Sequence, residues 1–250
     1  MIQTFMKDPL ANTLAVVVLI ALIISWIISL AIILKDSPVH AAKSWHNRLL
    51  PIFALLGIPA ALGLLQTSGL TLFLAAIVTI ALIINIVIPF LRLMEKSSHT
   101  FVVDWYKWAV PVISVGGLAV AGYLAFVEAA NTNPVCGPLG NCAAVQTSKY
   151  AILFGVLPIG ILGLAGYFAI LAAWLVRQFG PASLNKWSEL GIWGFCIFGV
   201  LFSTYLTFLE PFVIGATCMW CITSAVFMIL LLWVSTPAAQ QALTISEDDD

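Results

Sequence analysis

From Thr13 to Leu34 the chain runs through 22 residues without a charged side chain. A helix needs about 20 apolar residues to cross a bilayer. Within the hydrocarbon only helices and closed barrels satisfy every backbone polar group. Comparable runs recur near 49–66, 69–93, 105–127, 151–176, 188–209 and 212–235. The alternating ten-residue segments of an outer-membrane barrel are absent. The sequence therefore predicts an all-α polytopic membrane protein with about seven spans. Composition agrees: 62% of residues are apolar and 8% charged, whereas a soluble domain has about 25% charged. A net charge of −1 and no basic cluster leave nucleic-acid binding without an electrostatic footprint. The first span lacks a basic leader and a cleavage site, so it reads as a span and not a signal peptide.

The ten basic residues orient the chain. Lys35, Lys43, Arg48, Arg92, Lys96, Lys107, Arg177 and Lys186 fall in one set of connections, and only Lys7 and Lys149 in the other. Cytoplasmic loops carry the excess of Lys and Arg. The N-terminus and the 128–150 connection are thus expected outside, and the acidic end Glu247–Asp250 inside. The spans carry no charge expected to be buried, which argues against a solute path. Small residues recur in the later spans (Gly117 and Ala121; Gly160, Gly163 and Gly166; Gly194 and Gly199). They read as helix packing. The first three spans show this less, so the chain divides into an N-terminal three-helix segment and a C-terminal four-helix part.

Sulfur carries the chemistry. Cys196 sits alone in the sixth span and reads as a small core residue. Cys136 and Cys142 lie in the Glu128–Tyr150 connection, which is rich in turn residues. Cys218 and Cys221 form a C-x-x-C at the outward end of the last span. The charge-derived topology puts both pairs on the outward side, where disulfides persist. The first sulfur of a C-x-x-C at a helix start is held as thiolate by the helix N-terminus. Cys218 is therefore expected to be exposed and Cys221 to lie deeper, facing the bundle. The Cys136/Cys142 loop is expected to swing between an outside partner and Cys218, exchanging disulfides. No haem motif or dinucleotide motif offers an electron exit. A quinone, dissolved in the bilayer, fits. The aromatic and apolar residues near Cys221, Trp220 and Met219, are its candidate contacts, followed by Phe126, Phe154 and Phe208. Two inert staples on a transporter, or a four-thiolate metal site for which the x5 spacing is loose, are the competing readings.

A local pattern repeats. Tyr123-Leu-Ala-Phe-Val-Glu128 resembles Tyr205-Leu-Thr-Phe-Leu-Glu210, and each Glu precedes the first cysteine of a pair by eight positions. Tyr is common at membrane interfaces, so the repeat is either coincidental or a device setting both cysteine segments at one depth.

Cys136-x5-Cys142-x2-Val145-x2-Ser148-x-Tyr150, then Phe154-Gly-Val-Leu-Pro158, then Cys218-x2-Cys221 resembles the bacterial and plant-type homologues of vitamin K epoxide reductase. The resemblance covers about 105–235. It implies a four-helix core at 101–236 around a quinone of the ubiquinone, menaquinone or phylloquinone class. The preceding 1–100 would be three extra helices of unassigned role, and 237–250 an acidic cytoplasmic tail. The resemblance further implies that Cys142 exchanges with Cys218, that Cys136 receives electrons from a thioredoxin-like protein, and that Cys221 reduces the quinone. Ser148 would lie near the relay; on its own it reads equally as the N-cap of the fifth span. Many bacterial members carry a fused thioredoxin-like domain. This chain ends about 15 residues past the last span, so a separate extracytoplasmic partner is expected. The implied activity is quinone-dependent disulfide formation in a bacterial inner or plasma membrane. The alternative is reduction of a quinone or vitamin K epoxide to supply hydroquinone. No metal is implied.

Overall fold

A computed structural model of the chain describes residues 5–34, 100–136, 140–153 and 155–244. The spans expected near 49–66 and 69–93, Phe154 and the acidic end at 247–250 lie outside the described residues. Among the described residues, five helices are long and apolar enough to cross a membrane. They are α1 (Pro9–Leu34), α2 (Thr100–Ala129), α4 (Ile159–Phe179), α5 (Asn185–Leu209) and α6 (Met219–Thr244). A short helix α3 (Cys142–Gln146) and a two-residue antiparallel ladder, β1 (Ile152–Leu153) with β2 (Leu157–Pro158), lie between α2 and α4. The protein is a multi-pass, all-α membrane protein.

α6 is the central helix, with almost all of its membrane window buried. α1, α2 and α5 pack on it, and α4 closes the bundle between α2 and α5. The fit depends on small residues. Gly117 on α2 leaves room for the Tyr167 ring of α4, into which a Cβ would run. Tyr167 is fully buried, and its hydroxyl donates to the Ser224 carbonyl on α6 at 3.0 Å. Gly199 on α5 faces Met228 on α6 in the same way.

Three span boundaries differ from the sequence expectation. The fifth span starts at Ile159, not near 151, because Pro158 and a left-handed Gly155 (φ 73°) end the extended hairpin there. The last span starts at Met219, not 212. Residues 210–214 instead form a π-helical turn (Glu210–Ile214) closed by Gly215 at φ 77°. α6 also continues through Pro237 to Thr244, so the helix occupies the start of what was expected to be tail.

α1, expected to belong to an N-terminal three-helix segment, packs directly on the later helices. It sits in the groove between α5 and α6. The reason lies in its few polar residues. Lipid offers them no partners, so they turn inward and bond across helices, each such bond contributing about 0.6–2 kcal/mol. Trp233 Nε1 donates to Ser25 Oγ at 3.0 Å, and Trp193 Nε1 to Ser29 Oγ at 3.0 Å. Ser29 Oγ and Thr236 Oγ1 share a hydrogen bond at 2.8 Å. Thr217 Oγ1 donates to Asn12 Oδ1 at 2.9 Å. The residues Ala11, Ala15, Val18, Leu22, Ser25 and Ser29 follow helical spacing along one buried face.

The expectation that the spans hold no buried charge is overturned. Glu189 is buried on α5 and pairs with Arg177 of α4. Glu210 is 2% exposed.

Candidate functional site

Both cysteine pairs gather at one end of the bundle. Cys136 and Cys142 are joined by a disulfide with Cα atoms 5.7 Å apart. Cys218 and Cys221 are free thiols. The N-terminus lies at this same end, because Asp8 Oδ2 accepts the Gly140 N–H at 2.9 Å. The charge count had placed the N-terminus and this loop on one face.

The cysteine loop is docked more firmly than its turn-rich sequence suggested. Asn141 caps α3, its Oδ1 accepting the Ala144 N–H at 3.0 Å. The Asn141 backbone N–H donates to the Thr217 carbonyl at 3.0 Å. Cys142 and Cys218 are the next residues on each side of that bond. Gly140 makes the approach possible: it adopts φ 83°, and a Cβ would strike the Thr217 carbonyl. The Tyr123 hydroxyl accepts the Val135 N–H at 2.8 Å, and Trp220 Nε1 donates to the Val135 carbonyl at 2.9 Å. The two rings pack with centroids 4.4 Å apart. A swing is therefore not required to bring Cys142 to the C-x-x-C segment.

The exposure of the C-x-x-C pair is the reverse of that expected. Cys218 is fully buried, as is Cys142, whereas Cys221 is partly open. The cause is the cover: Gly140, Asn141 and the start of α1 lie over the 217–218 segment. Cys136 is partly exposed and stays reachable from outside. Cys218 directly precedes α6, and its carbonyl accepts the Ile222 N–H at 3.0 Å. The Cys221 thiol, donating to Cys218, holds Cys218 below the ordinary thiol range. The Cys221 and Trp220 backbone N–H groups act in the same direction, while burial opposes them. The direction is that anticipated for the first cysteine of the motif, but its largest cause is the Cys221 thiol, with the helix-start N–H groups adding to it.

Cys221 opens on two cavities. The larger is open at one side and runs between α2, α4, α5 and α6. Phe195, Phe198 and Phe202 form its aromatic wall, and Gly160, Gly163 and Gly166 its flat one. The smaller lies among Glu128, Ser148, Tyr150, Glu210 and Cys221. Gln146 borders both. Ser148 Oγ and Gln146 Oε1 are buried without a hydrogen-bond partner among the described residues. Buried polar atoms are rarely left so; with the Ser148 hydroxyl able to donate to a ligand oxygen and Gln146 Oε1 able to accept from a ligand O–H, they fit a flat apolar body whose oxygens pass between carbonyl and hydroxyl. A quinone ring is such a body.

The other residues singled out from the sequence fall as follows. Ser148 does not cap the fifth span, since that helix begins only at Ile159, after Pro158; it borders the small cavity. Trp220 is buried against Tyr123 and is not among the residues lining either cavity. Phe126 is 67% exposed and Phe208 45%, both turned away from them. Met219 is buried against Leu14 of α1. Cys196 is a buried core residue.

The aromatic wall was missed, though Phe195, Phe198 and Phe202 share one helical face by their spacing. The glycines of α4 were read as packing only. Glu210 stands in the sequence only as the end of the repeated pattern, with nothing there to show a contact with Cys218. Its N–H acceptor role, Cys218 N to Glu210 Oε2 at 3.1 Å, depends on the π turn.

A sequence-family model described as the vitamin K epoxide reductase family matches residues 108–236, which hold both cysteine pairs, both cavities and the hairpin, but not α1. No curated protein and no solved structure matches the chain.

Proposed function

The chain belongs to the vitamin K epoxide reductase family, and from that premise we propose that it is a membrane thiol oxidoreductase that makes disulfides. It draws electrons from an extracytoplasmic thioredoxin-like protein, distinct from this chain, and passes them through its two cysteine pairs to a quinone. The observation that carries this reading is the Asn141–Thr217 backbone bond, which sets the Cys142 and Cys218 segments side by side. We read the end holding the cysteines as the outward face of a bacterial inner or plasma membrane.

The residues divide the work. A partner thiolate attacks Cys136, the reachable sulfur of the disulfide, and Cys142 leaves as thiolate. The partner's second thiol then attacks its own half of the mixed disulfide, frees Cys136 and departs oxidised. When the C-x-x-C pair is oxidised, Cys142 attacks Cys218 and Cys221 leaves. Cys136 then attacks Cys142, restoring the loop disulfide and releasing Cys218, whose lowered pKa makes it a good leaving group. The reduced C-x-x-C holds two electrons beside the cavity. A quinone there would accept two electrons and two protons. We assign the Ser148 hydroxyl as donor to a quinone oxygen, Gln146 Oε1 as acceptor for the O–H of the reduced form, and the Phe195–Phe198–Phe202 wall to the ring. Burial of Cys218 and Cys142 keeps water and stray thiols from the exchange.

Cys218→Ala and Cys221→Ala are each expected to abolish quinone-dependent oxidation of a reduced thioredoxin-like substrate. Cys136→Ala is expected to accumulate a Cys142–Cys218 mixed disulfide, read by mass spectrometry. Full oxidation activity in either C-x-x-C variant sinks the relay. Turnover of a quinone epoxide with no disulfide formation would instead assign the chain to hydroquinone supply.

A further inference from the structure

Glu210 is a carboxyl group in an apolar place. It is 2% exposed, and Oε2 accepts the Cys218 N–H at 3.1 Å. Cys221 lines the same small cavity as the Glu210 side chain. Among the described residues no Lys or Arg forms an ion pair with it. Burying an uncompensated carboxylate costs several kcal/mol, and an uncharged glutamine would accept the same N–H without that cost. The backbone is bent to put it there. Glu210 opens a π turn, a rare form that concentrates at functional sites. Gly215, in the left-handed conformation, closes that turn by donating its N–H to the Glu210 carbonyl at 2.7 Å. The carboxyl group borders the small cavity together with Cys221, Glu128, Tyr150 and the unpartnered Ser148 hydroxyl.

The redox cycle needs what this position offers. Each time Cys221 leaves as thiolate inside the protein, it must gain a proton. Each time the pair is oxidised, that proton must go. Cys221 is cut off from bulk water on the loop side by the cover over Cys218.

We propose that Glu210 is a catalytic residue that carries the Cys221 proton in both halves of the cycle. This rests on the thiol-relay reading. In the exchange half, the Cys142 thiolate bonds to Cys218, the Cys218–Cys221 bond breaks, and the Glu210 carboxylic acid protonates the departing Cys221 sulfur. In the oxidation half, two electrons leave the dithiol as the Cys218–Cys221 bond forms, and the Glu210 carboxylate takes the Cys221 proton back. The proton then moves on through the small cavity, past Ser148 and Glu128, to the acceptor, or stays for the next exchange. The titratable groups facing Glu210 are Cys218, Cys221, Glu128 and Tyr150.

The test is Glu210→Gln in the full chain, which keeps an acceptor oxygen for the Cys218 N–H and removes only the proton site. Two single-turnover measurements are made between pH 6 and 9. One is formation of the Cys142–Cys218 mixed disulfide in the Cys136→Ala background without quinone. The other is oxidation of the reduced protein by a short-chain ubiquinone analogue. Positioned proton transfer contributes about 10²–10⁴-fold. Glu210→Gln is expected to slow both steps at least about tenfold at neutral pH, with the melting temperature kept and the deficit closing as pH rises; Glu210→Asp recovers part of the rate. Wild-type rates in Glu210→Gln at all pH values, or a uniform loss at all pH values matching a drop in melting temperature, would overturn the proposal while leaving the relay standing. Absence of the mixed disulfide and of quinone-driven oxidation in the parent protein would overturn both.

Discussion

The two Tyr-to-Glu runs, 123–128 and 205–210, resemble each other in sequence but not in use. In the first, Tyr123 turns inward. It accepts the Val135 N–H beside Cys136 and packs on Trp220. Its glutamate, Glu128, reaches sideways to the Gly160 N–H at 3.0 Å and fastens α2 to the start of α4. In the second, Tyr205 is half exposed, and the glutamate does the holding, at the N–H of Cys218 itself. Equal spacing to the cysteine gives opposite partners because the chain after each Glu differs. An open loop follows Glu128, and a π turn follows Glu210. One cysteine segment is held by surrounding elements, the other by its own helix end. The first is the segment that must also meet an outside partner.

Breaking the docking of the first segment is the largest way to widen that contrast. Gly140→Val forces a β-branched residue to φ 83° and drives its side chain into the Thr217 carbonyl. The left-handed penalty alone is about 1–2 kcal/mol. Mixed-disulfide formation in the Cys136→Ala background is expected to fall more than tenfold. Oxidation of the dithiothreitol-reduced C-x-x-C pair by quinone is expected to persist, because the Glu210 carboxyl still holds the Cys218 N–H. Equal loss in both would show that the segments are held as one unit.

Asp8→Ala gives a smaller effect of the same kind. It removes the acceptor of the Gly140 N–H and the Asp8 Oδ1 bond to the Ala11 N–H at the start of α1. Loss of such a cap costs about 0.5–2 kcal/mol. A lower melting temperature and faster hydrogen exchange at Gly140 are expected, with exchange at Cys218 N–H unchanged.

The smallest test compares the two tyrosines directly. Tyr123→Phe loses one hydrogen bond, about 1 kcal/mol, and exposes the Val135 amide to exchange. Tyr205→Phe, at a half-exposed site, is expected to stay within about 0.5 kcal/mol of the parent. Equal melting temperatures for the two would remove the distinction.

The five described spans and the cysteine end were legible because each follows from counting. Apolar length predicts a crossing, and the positions of Lys and Arg put the N-terminus and the cysteine loop together, as the Asp8–Gly140 contact does. The place of α1 was less legible. Asn12, Ser25 and Ser29 look incidental in an apolar run, and only the facing Thr217, Trp233, Trp193 and Thr236 give them meaning. The glycines of α4 were visible, but a small residue reads as packing until a cavity lies beside it.

The sequence by itself determined that the chain is an all-helical membrane protein whose chemistry is sulfur chemistry, because hydropathy and cysteine spacing are local properties. Only the tertiary structure decided which sulfur is covered and which faces the cavity. It also decided that α1 joins the bundle, and that a buried carboxyl group touches the C-x-x-C motif. These depend on a π turn, a left-handed glycine and a loop docked from elsewhere, contacts between residues far apart in the chain that spacing along it does not encode.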